Sequence, residues 1–165
     1  MLAERQDFPP NGGTEHDHYS QPEQLQERLR DLWQTHREGM QLPLRQRFEP
    51  MSVVDLLPYI AILTVGRGPL DFAYRLTGTE LDRHMGRVLK GQKVSEIQAQ
   101  CAPSSFWDLL AETVTRGEPC ARQVGFLGST YDLRQVEVIA LPYSLDGSQV
   151  DQIIIGTRFV SAGLV

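Results

Sequence analysis

Three arginines occur in predicted strands, where a guanidinium could bind an anion. Arg75 lies between apolar residues in DFAYRLT, and Arg122 and Arg134 follow in later strand-like segments. A guanidinium matches a carboxylate or a phosphate and can bind either through two parallel hydrogen bonds. The alternative is a structural arginine that pairs with an acid or a helix end, because polar groups in folded proteins are satisfied. We treat Arg75 and Arg134 as candidate ligand-binding residues.

Three aromatic residues are predicted to face the space between the helices and the sheet. Tyr74 adjoins Arg75, Trp107 lies on a predicted helix, and Phe126 lies near the end of a predicted strand. A small-molecule pocket needs apolar walls with a few placed polar groups, and these rings could supply the walls. Plain core packing explains the same three residues, because large aromatic side chains are mostly buried. Both interpretations stay open at this point.

The sequence lacks the short motifs that organise common catalytic sites. It has no G-x-S-x-G, H-E-x-x-H, G-x-x-x-x-G-K-S/T or G-x-G-x-x-G. No spacing pairs a nucleophile with a base, and His16 and His18 in a polar tail do not predict a metal site. We therefore expect a protein that binds rather than one that catalyses, with no catalytic residues.

Residues 23–38 are predicted to form an amphipathic helix. The apolar side chains recur at steps of three and four, at Leu25, Leu29, Leu32 and Trp33. Ser20 and Glu23 have the spacing of a capping box, and Gly39 would end the helix. The apolar stripe must be buried, either against the chain's own sheet or against a partner chain. Its four residues are therefore candidates for a dimer or partner contact.

The rest of the chain divides into strand-like and helical segments. Runs of β-branched and aromatic residues bounded by turn formers predict five strands, at 59–65, 71–77, 119–127, 130–141 and 150–160. Residues 78–117 form a helical middle. The uninterrupted apolar runs at 59–65 and 153–155 indicate central strands that are covered on both faces. Together these elements predict an α+β fold with one antiparallel sheet and a helical layer.

Composition limits the kinds of partner. The chain has 165 residues and a net charge of −5, and its 16 lysines and arginines are scattered, so no nucleic-acid partner is predicted. No apolar run approaches the ~20 residues that span a bilayer, and the N-terminus lacks the apolar stretch of a secretory signal. We expect a cytoplasmic protein with a disordered tail at 1–22 and one domain at 23–162.

Several segments, taken in order, resemble a bacterial family of single PAS-like domains with many α-proteobacterial members, within the PAS sensory superfamily. The shared pattern runs through LLPYIAILTV at 56–65, FAYRLTGTEL at 72–81, Gly86 and LKGQKVSEI at 89–97. The resemblance covers about residues 25–160. It implies a five-stranded sheet in the order 2-1-5-4-3, with short helices on one face. The N-terminal helix would cover the other face or pair with a second protomer.

The resemblance also implies a function. A stand-alone sensory or regulatory module would bind a small metabolite between helices and sheet, form a homodimer, and signal to a separate protein. The alternative is a ligand-free interaction or dimerisation module. No haem or flavin is predicted, because His84 alone is weak evidence for a haem ligand and the reactive cysteine segment of flavin photosensors is missing. An enzyme that used this fold as an isomerase-like cup would need a deep acid with a raised pKa, and Asp71 and Glu137 are the nearest strand acids.

Overall fold

The computed structural model describes residues 22–125 and 135–160. The helices are α1 (Leu25–Arg37), α2 (Thr79–Met85) and α3 (Ser105–Arg116). The strands are β1 (Ile60–Gly66), β2 (Asp71–Thr77), β3 (Cys120–Val124), β4 (Gln135–Tyr143) and β5 (Gln152–Val160). Short 3-10 turns occupy Arg45–Arg47, Pro50–Val53, Leu57–Tyr59 and Val94–Glu96.

The five strands form one antiparallel sheet in the order β2-β1-β5-β4-β3. This order confirms what the resemblance implied, and the α+β fold class is confirmed with it. β1 begins at Ile60 rather than at residue 59, because Tyr59 is the last residue of the 3-10 turn that leads into the strand. Residues 126–134, which include the end of the strand predicted at 119–127 and the start of the one predicted at 130–141, lie outside the described residues.

The side chains of β5 enter two separate apolar clusters, one on each face of the sheet. Ile153 and Ile155 belong to the cluster beneath α2 and α3, whereas Ile154 belongs to the cluster on the opposite face. All three are fully buried. The uninterrupted apolar run in the sequence therefore marks a central strand that is covered on both faces, as predicted.

α1 covers the second face of the sheet. Leu25, Leu29 and Trp33 are buried there, and Leu32 is partly buried at the margin. The indole Nε1 of Trp33 donates to the carbonyl of Pro142 at 2.6 Å, which ties the helix to β4. The sequence left open whether a partner chain or the chain's own sheet buries this stripe, and in this structure it is the sheet. A partner contact through the same buried side chains would require α1 to leave the sheet.

The limits of α1 differ slightly from the predicted 23–38. Gln24 and Glu38 flank the helix, and both have left-handed backbone angles, with φ of 58° and 47°. Glu23 lies outside the helix, so it cannot complete the predicted capping box, and Ser20 lies outside the described residues. Gly39 was expected to end the helix. The helix ends one residue earlier than predicted, at Arg37, because Glu38 has a left-handed backbone conformation.

α1 approaches β5 closely because residue 156 is a glycine. A Cβ added to Gly156 would lie 2.4 Å from Cδ1 of Leu29 and 3.1 Å from Cδ2 of Leu25. Both distances are below the ~3.5–4.0 Å of an ordinary carbon–carbon contact. The missing side chain at this position therefore sets the spacing between the helix and the sheet.

Substitutions at Leu29 and Gly156 should give coupled losses of stability. Leu29→Ala removes buried methyl groups and should lower the free energy of unfolding by about 2–5 kcal/mol. Gly156→Ala overpacks the contact and should cost about 1–3 kcal/mol. In the double variant the new methyl group partly fills the vacated space, so the total loss should fall short of the sum by about 0.5 kcal/mol or more. Urea denaturation of the four proteins measures this coupling, and additive losses would show that the two residues do not form the proposed contact.

Candidate functional site

The layer between the helices and the sheet is the place where the resemblance locates a ligand. Large apolar side chains that are at most 1% exposed occupy it, among them Leu63, Phe72, Leu89, Phe106 and Leu110. In the part of the chain that the structure describes, this layer is therefore a packed hydrophobic core. A candidate site within it must be made of core residues and must open to admit a ligand.

A polar pair lies inside this apolar layer. The hydroxyl of Tyr74 on β2 donates to Oε1 of Gln100 at 2.6 Å. Tyr74 is 2% exposed and Gln100 is fully buried. Burial raises the pKa of the Tyr74 hydroxyl well above its ordinary value, so the group remains a protonated donor. The pair supplies hydrogen-bonding groups in an otherwise apolar environment.

Backbone contacts connect Gln100 to the start of α3. The N–H of Gln100 donates to the carbonyl of Ile97 at 2.9 Å, after the 3-10 turn Val94–Glu96. Oγ of Ser104 donates to the carbonyl of Gln100 at 2.8 Å, and Oγ of Ser104 also accepts from the backbone N–H of Trp107 at 2.9 Å. Ser104 is the N-cap of α3. A displacement of Gln100 would therefore reach the first turn of α3 directly.

The predicted aromatic residues border this layer as far as the structure describes them. Trp107 is partly buried and packs edge to face on Phe72, with ring centroids 5.2 Å apart and planes at 75°. Tyr74 lies deeper, in the same cluster. Phe126 lies outside the described residues. Trp107 thus forms the outer margin of the layer, while the Tyr74 hydroxyl lies within it.

The predicted arginines do not join the aromatic residues. Arg75 is exposed and lines a groove on the opposite face of the sheet, together with Ile62. Arg122 on β3 pairs with Glu112 on α3, with Nη2 and Oε2 separated by 2.5 Å, so it takes the structural role that the sequence left open. Arg134 lies outside the described residues. The structure therefore separates Tyr74 and Arg75, which the sequence had placed in one ligand site.

His84 lies on α2 and is surrounded by other side chains. Its ring stacks on that of Phe159, with centroids 3.7 Å apart and planes at 20°. Its Nε2 lies 3.9 Å from a carboxylate oxygen of Glu80, one helical turn earlier. These contacts give the histidine a packing role at the margin of the sheet.

The two strand acids have structural partners. Asp71 is partly buried, which opposes ionisation, but hydrogen bonds from the Ser95 side chain and from the backbone N–H groups of Phe72 and Ser95 outweigh this effect. Together they lower its pKa. The isomerase-like alternative needs a raised pKa, so Asp71 does not meet its requirement. Glu137 pairs with Arg158 at 3.1 Å.

Gln100 was not among the candidate site residues predicted from the sequence. It follows Val94 and Ile97 at steps of three, and those two residues are buried anchors. The same spacing could have placed Gln100 among the buried positions. A glutamine in a short turn normally indicates an exposed residue, and its pairing with Tyr74 depends on a contact 26 residues away along the chain.

The backbone packing around residue 78, within the shared segment FAYRLTGTEL, leaves room for glycine only. A Cβ added there would lie 2.2 Å from the carbonyl oxygen of Leu57 and 2.3 Å from that of Pro58. The N–H of Gly78 also donates to the carbonyl of Ile60 at 2.7 Å. The start of α2 therefore packs directly on the backbone that leads into β1, and a larger residue would force the two apart.

The fold defines a class of protein: an α+β domain with a five-stranded antiparallel sheet in the order 2-1-5-4-3 and short helices over one face. A family model described as PAS domain matches residues 22–157. The chain therefore belongs to the PAS domain family, whose members are sensory or interaction modules. No curated protein matches the sequence. Among the described residues, no helix combines the length and the apolar character needed to cross a membrane.

Tyr74→Phe should destabilise the domain although it removes a single oxygen atom. Oε1 of Gln100 then loses its donor in a buried layer, which should lower the free energy of unfolding by about 1–3 kcal/mol. The same substitution should cost less in a Gln100→Met background, because the acceptor is then missing too. Urea denaturation of the single and double variants measures the difference. Equal costs in the two backgrounds would contradict a stabilising Tyr74–Gln100 pair.

Proposed function

We propose that this PAS domain is a sensory or regulatory module that binds a small molecule between its helices and its sheet, and that it signals to a separate protein. The observation that carries the proposal is the buried hydrogen bond between Tyr74 and Gln100. Ligand pockets combine apolar walls with a few polar groups that orient the ligand, and this layer contains both. A small polar molecule would replace one side of the Tyr74–Gln100 bond.

Binding at this place would be coupled to a change of packing. Because side chains fill the layer, a ligand must displace some of them, and the partly exposed Trp107 and the flexible Met85 beside Gln100 are suited to move. A ligand that binds the rearranged state better than the packed state shifts the population towards it. Ligand binding and the change of packing that carries the signal would therefore occur together.

The signal would leave the layer through α3. Gln100 is linked through Ser104 to the backbone of Trp107, so a ligand that moves the glutamine also moves the N-cap of this helix. α3 packs in turn on β3 and β4. We propose that a separate protein, or a second copy in a homodimer, recognises the altered position of α3.

The second candidate function is a ligand-free interaction module, and the packed layer favours it. A layer whose large side chains are at most 1% exposed can serve as a core without any ligand. On the surface, Met51 is 76% exposed and Val54 is 58% exposed, in and just after one 3-10 turn. Exposed apolar residues of this kind could contribute to a contact with a second copy of the chain.

Native mass spectrometry of the freshly purified chain, followed by the same sample denatured, separates the two candidates. The sensor proposal predicts a mass excess that disappears on denaturation. Gln100→Leu should abolish the excess, whereas the matched control Gln98→Leu, an exposed position two residues earlier, should retain it. A native dimer whose mass is twice that of the denatured chain, with no excess, would contradict the sensor proposal and support the interaction module.

A further inference from the structure

A groove on the α1 face of the sheet collects three positive side chains from separate parts of the chain. Arg45 comes from the 3-10 turn Arg45–Arg47, Arg75 from β2, and Lys90 from the loop after α2. The groove has a volume of about 450 Å³. Among the described residues that line it, none is an aspartate or a glutamate. The groove is therefore positive in a chain whose net charge is −5.

Backbone contacts hold the segment that carries Lys90 against the strand that carries Arg75. Ile62 pairs with Leu76 and Leu63 pairs with Tyr74, so Arg75 is the extra residue of a β-bulge. The loop that carries Lys90 is held to the same strand, because the N–H of Gly91 donates to the carbonyl of Tyr74 at 2.7 Å.

Arg45 reaches the groove from a segment that is bonded to the residue after β4. Its N–H donates to the carbonyl of Ser144 at 2.8 Å, and the N–H of Ser144 donates to the carbonyl of Pro43 at 2.9 Å. These bonds fix the segment before the 3-10 turn against the end of β4. All three cations therefore project from backbone that is anchored to the sheet.

The three cations have no counter-ions among the described residues. Elsewhere on the same surface arginines lie against acids, as in the pairs Arg28–Asp55 at 2.6 Å and Arg158–Glu137 at 3.1 Å. No such pair involves Arg45, Arg75 or Lys90 in the described part of the chain. Like charges that share a groove repel one another, and a bound anion relieves that repulsion.

Gln152 is an independent indication that the groove accepts a ligand. This residue begins β5 and lines the groove, and it is 3% exposed. Its side-chain amide makes no hydrogen bond to another described residue. Every fully buried side-chain nitrogen or oxygen among the described residues has a partner, so the unpaired amide of Gln152 must open to the groove. Buried polar groups are normally satisfied, and this one has hydrogen-bonding capacity left for a ligand.

We propose that this groove binds a small organic phosphate monoester. A phosphate monoester carries a charge of about −1.5 to −2 near pH 7 and has three strong acceptor oxygens. It can therefore accept hydrogen bonds from guanidinium and ammonium groups and from the Gln152 amide at the same time. Phe48 and Ile62 give the groove an apolar wall for the organic substituent. The site lies on the opposite face of the sheet from Tyr74 and Gln100, and so it does not depend on the function proposed above.

Isothermal titration calorimetry of the full chain with phenyl phosphate, in a low-salt buffer without phosphate, tests the proposal. We expect saturable one-to-one binding, and Arg45→Gln, Arg75→Gln and Lys90→Gln should each weaken it by about tenfold or more, since each removes a hydrogen bond to a charged group. Gln152→Leu should also weaken it. The matched control Arg122→Gln, on β3, should bind as the wild type does.

Three results would overturn the proposal. The first is no saturable binding at millimolar phenyl phosphate, and the second is an equal loss in the Arg122→Gln control. The third is binding of benzoate, or of inorganic phosphate, as tight as that of phenyl phosphate, because the ligand would then not be an organic phosphate. Lys90→Gln changes an exposed loop residue, so its effect on binding can be measured even if a strand variant fails to fold.

Discussion

The contact between Leu29 of α1 and the backbone of Gly156 in β5 is the constraint on which the rest of the structure depends. The central strands carry apolar side chains on both faces, so a helical layer on one face alone would leave the other exposed to water. α1 closes that second face, and glycine at position 156 lets it do so at short range. The helix thus forms part of the domain core.

Because both faces of the sheet are covered, adjacent side chains of the edge strand β2 contact two different parts of the structure. Tyr74 points into the layer beneath α2 and α3, and its neighbour Arg75 lines the groove on the α1 face. The bulge at Arg75 and the loop held against Tyr74 both lie at this edge. The interior site and the surface groove therefore share one strand, although they use opposite faces of it.

Much of the fold was predictable, because the relevant signals are local or short in period. The run Ile153 to Ile155 indicated a central strand, and the spacing of Leu25, Leu29 and Trp33 indicated a buried helix face. The strand order required the resemblance, since periodicity does not determine which strands become neighbours. The exact start of α1 was not predictable, because the left-handed geometry of Gln24 replaces the expected cap.

The candidate sites were less predictable, since they depend on contacts between distant segments. Arg75 was recognised as a strand cation, but nothing local indicated that Arg45 and Lys90 would join it. Neither Gln100 nor Gln152 was a candidate in the sequence, because glutamine is mostly exposed in proteins, and both are buried by other elements of the fold. Sequence patterns show which residues could do chemistry, whereas the packing decides which of them meet.

Amide hydrogen exchange of α1 tests the central claim most directly, namely that this helix belongs to the domain's own core. If the helix is needed to close the second face of the sheet, the amides of residues 29–37 should open only with global unfolding. They should then show the same protection as the central amides of β5. Fast exchange in α1 with a protected β5 would contradict the account, because it would show a helix that leaves the sheet easily and is available to a partner.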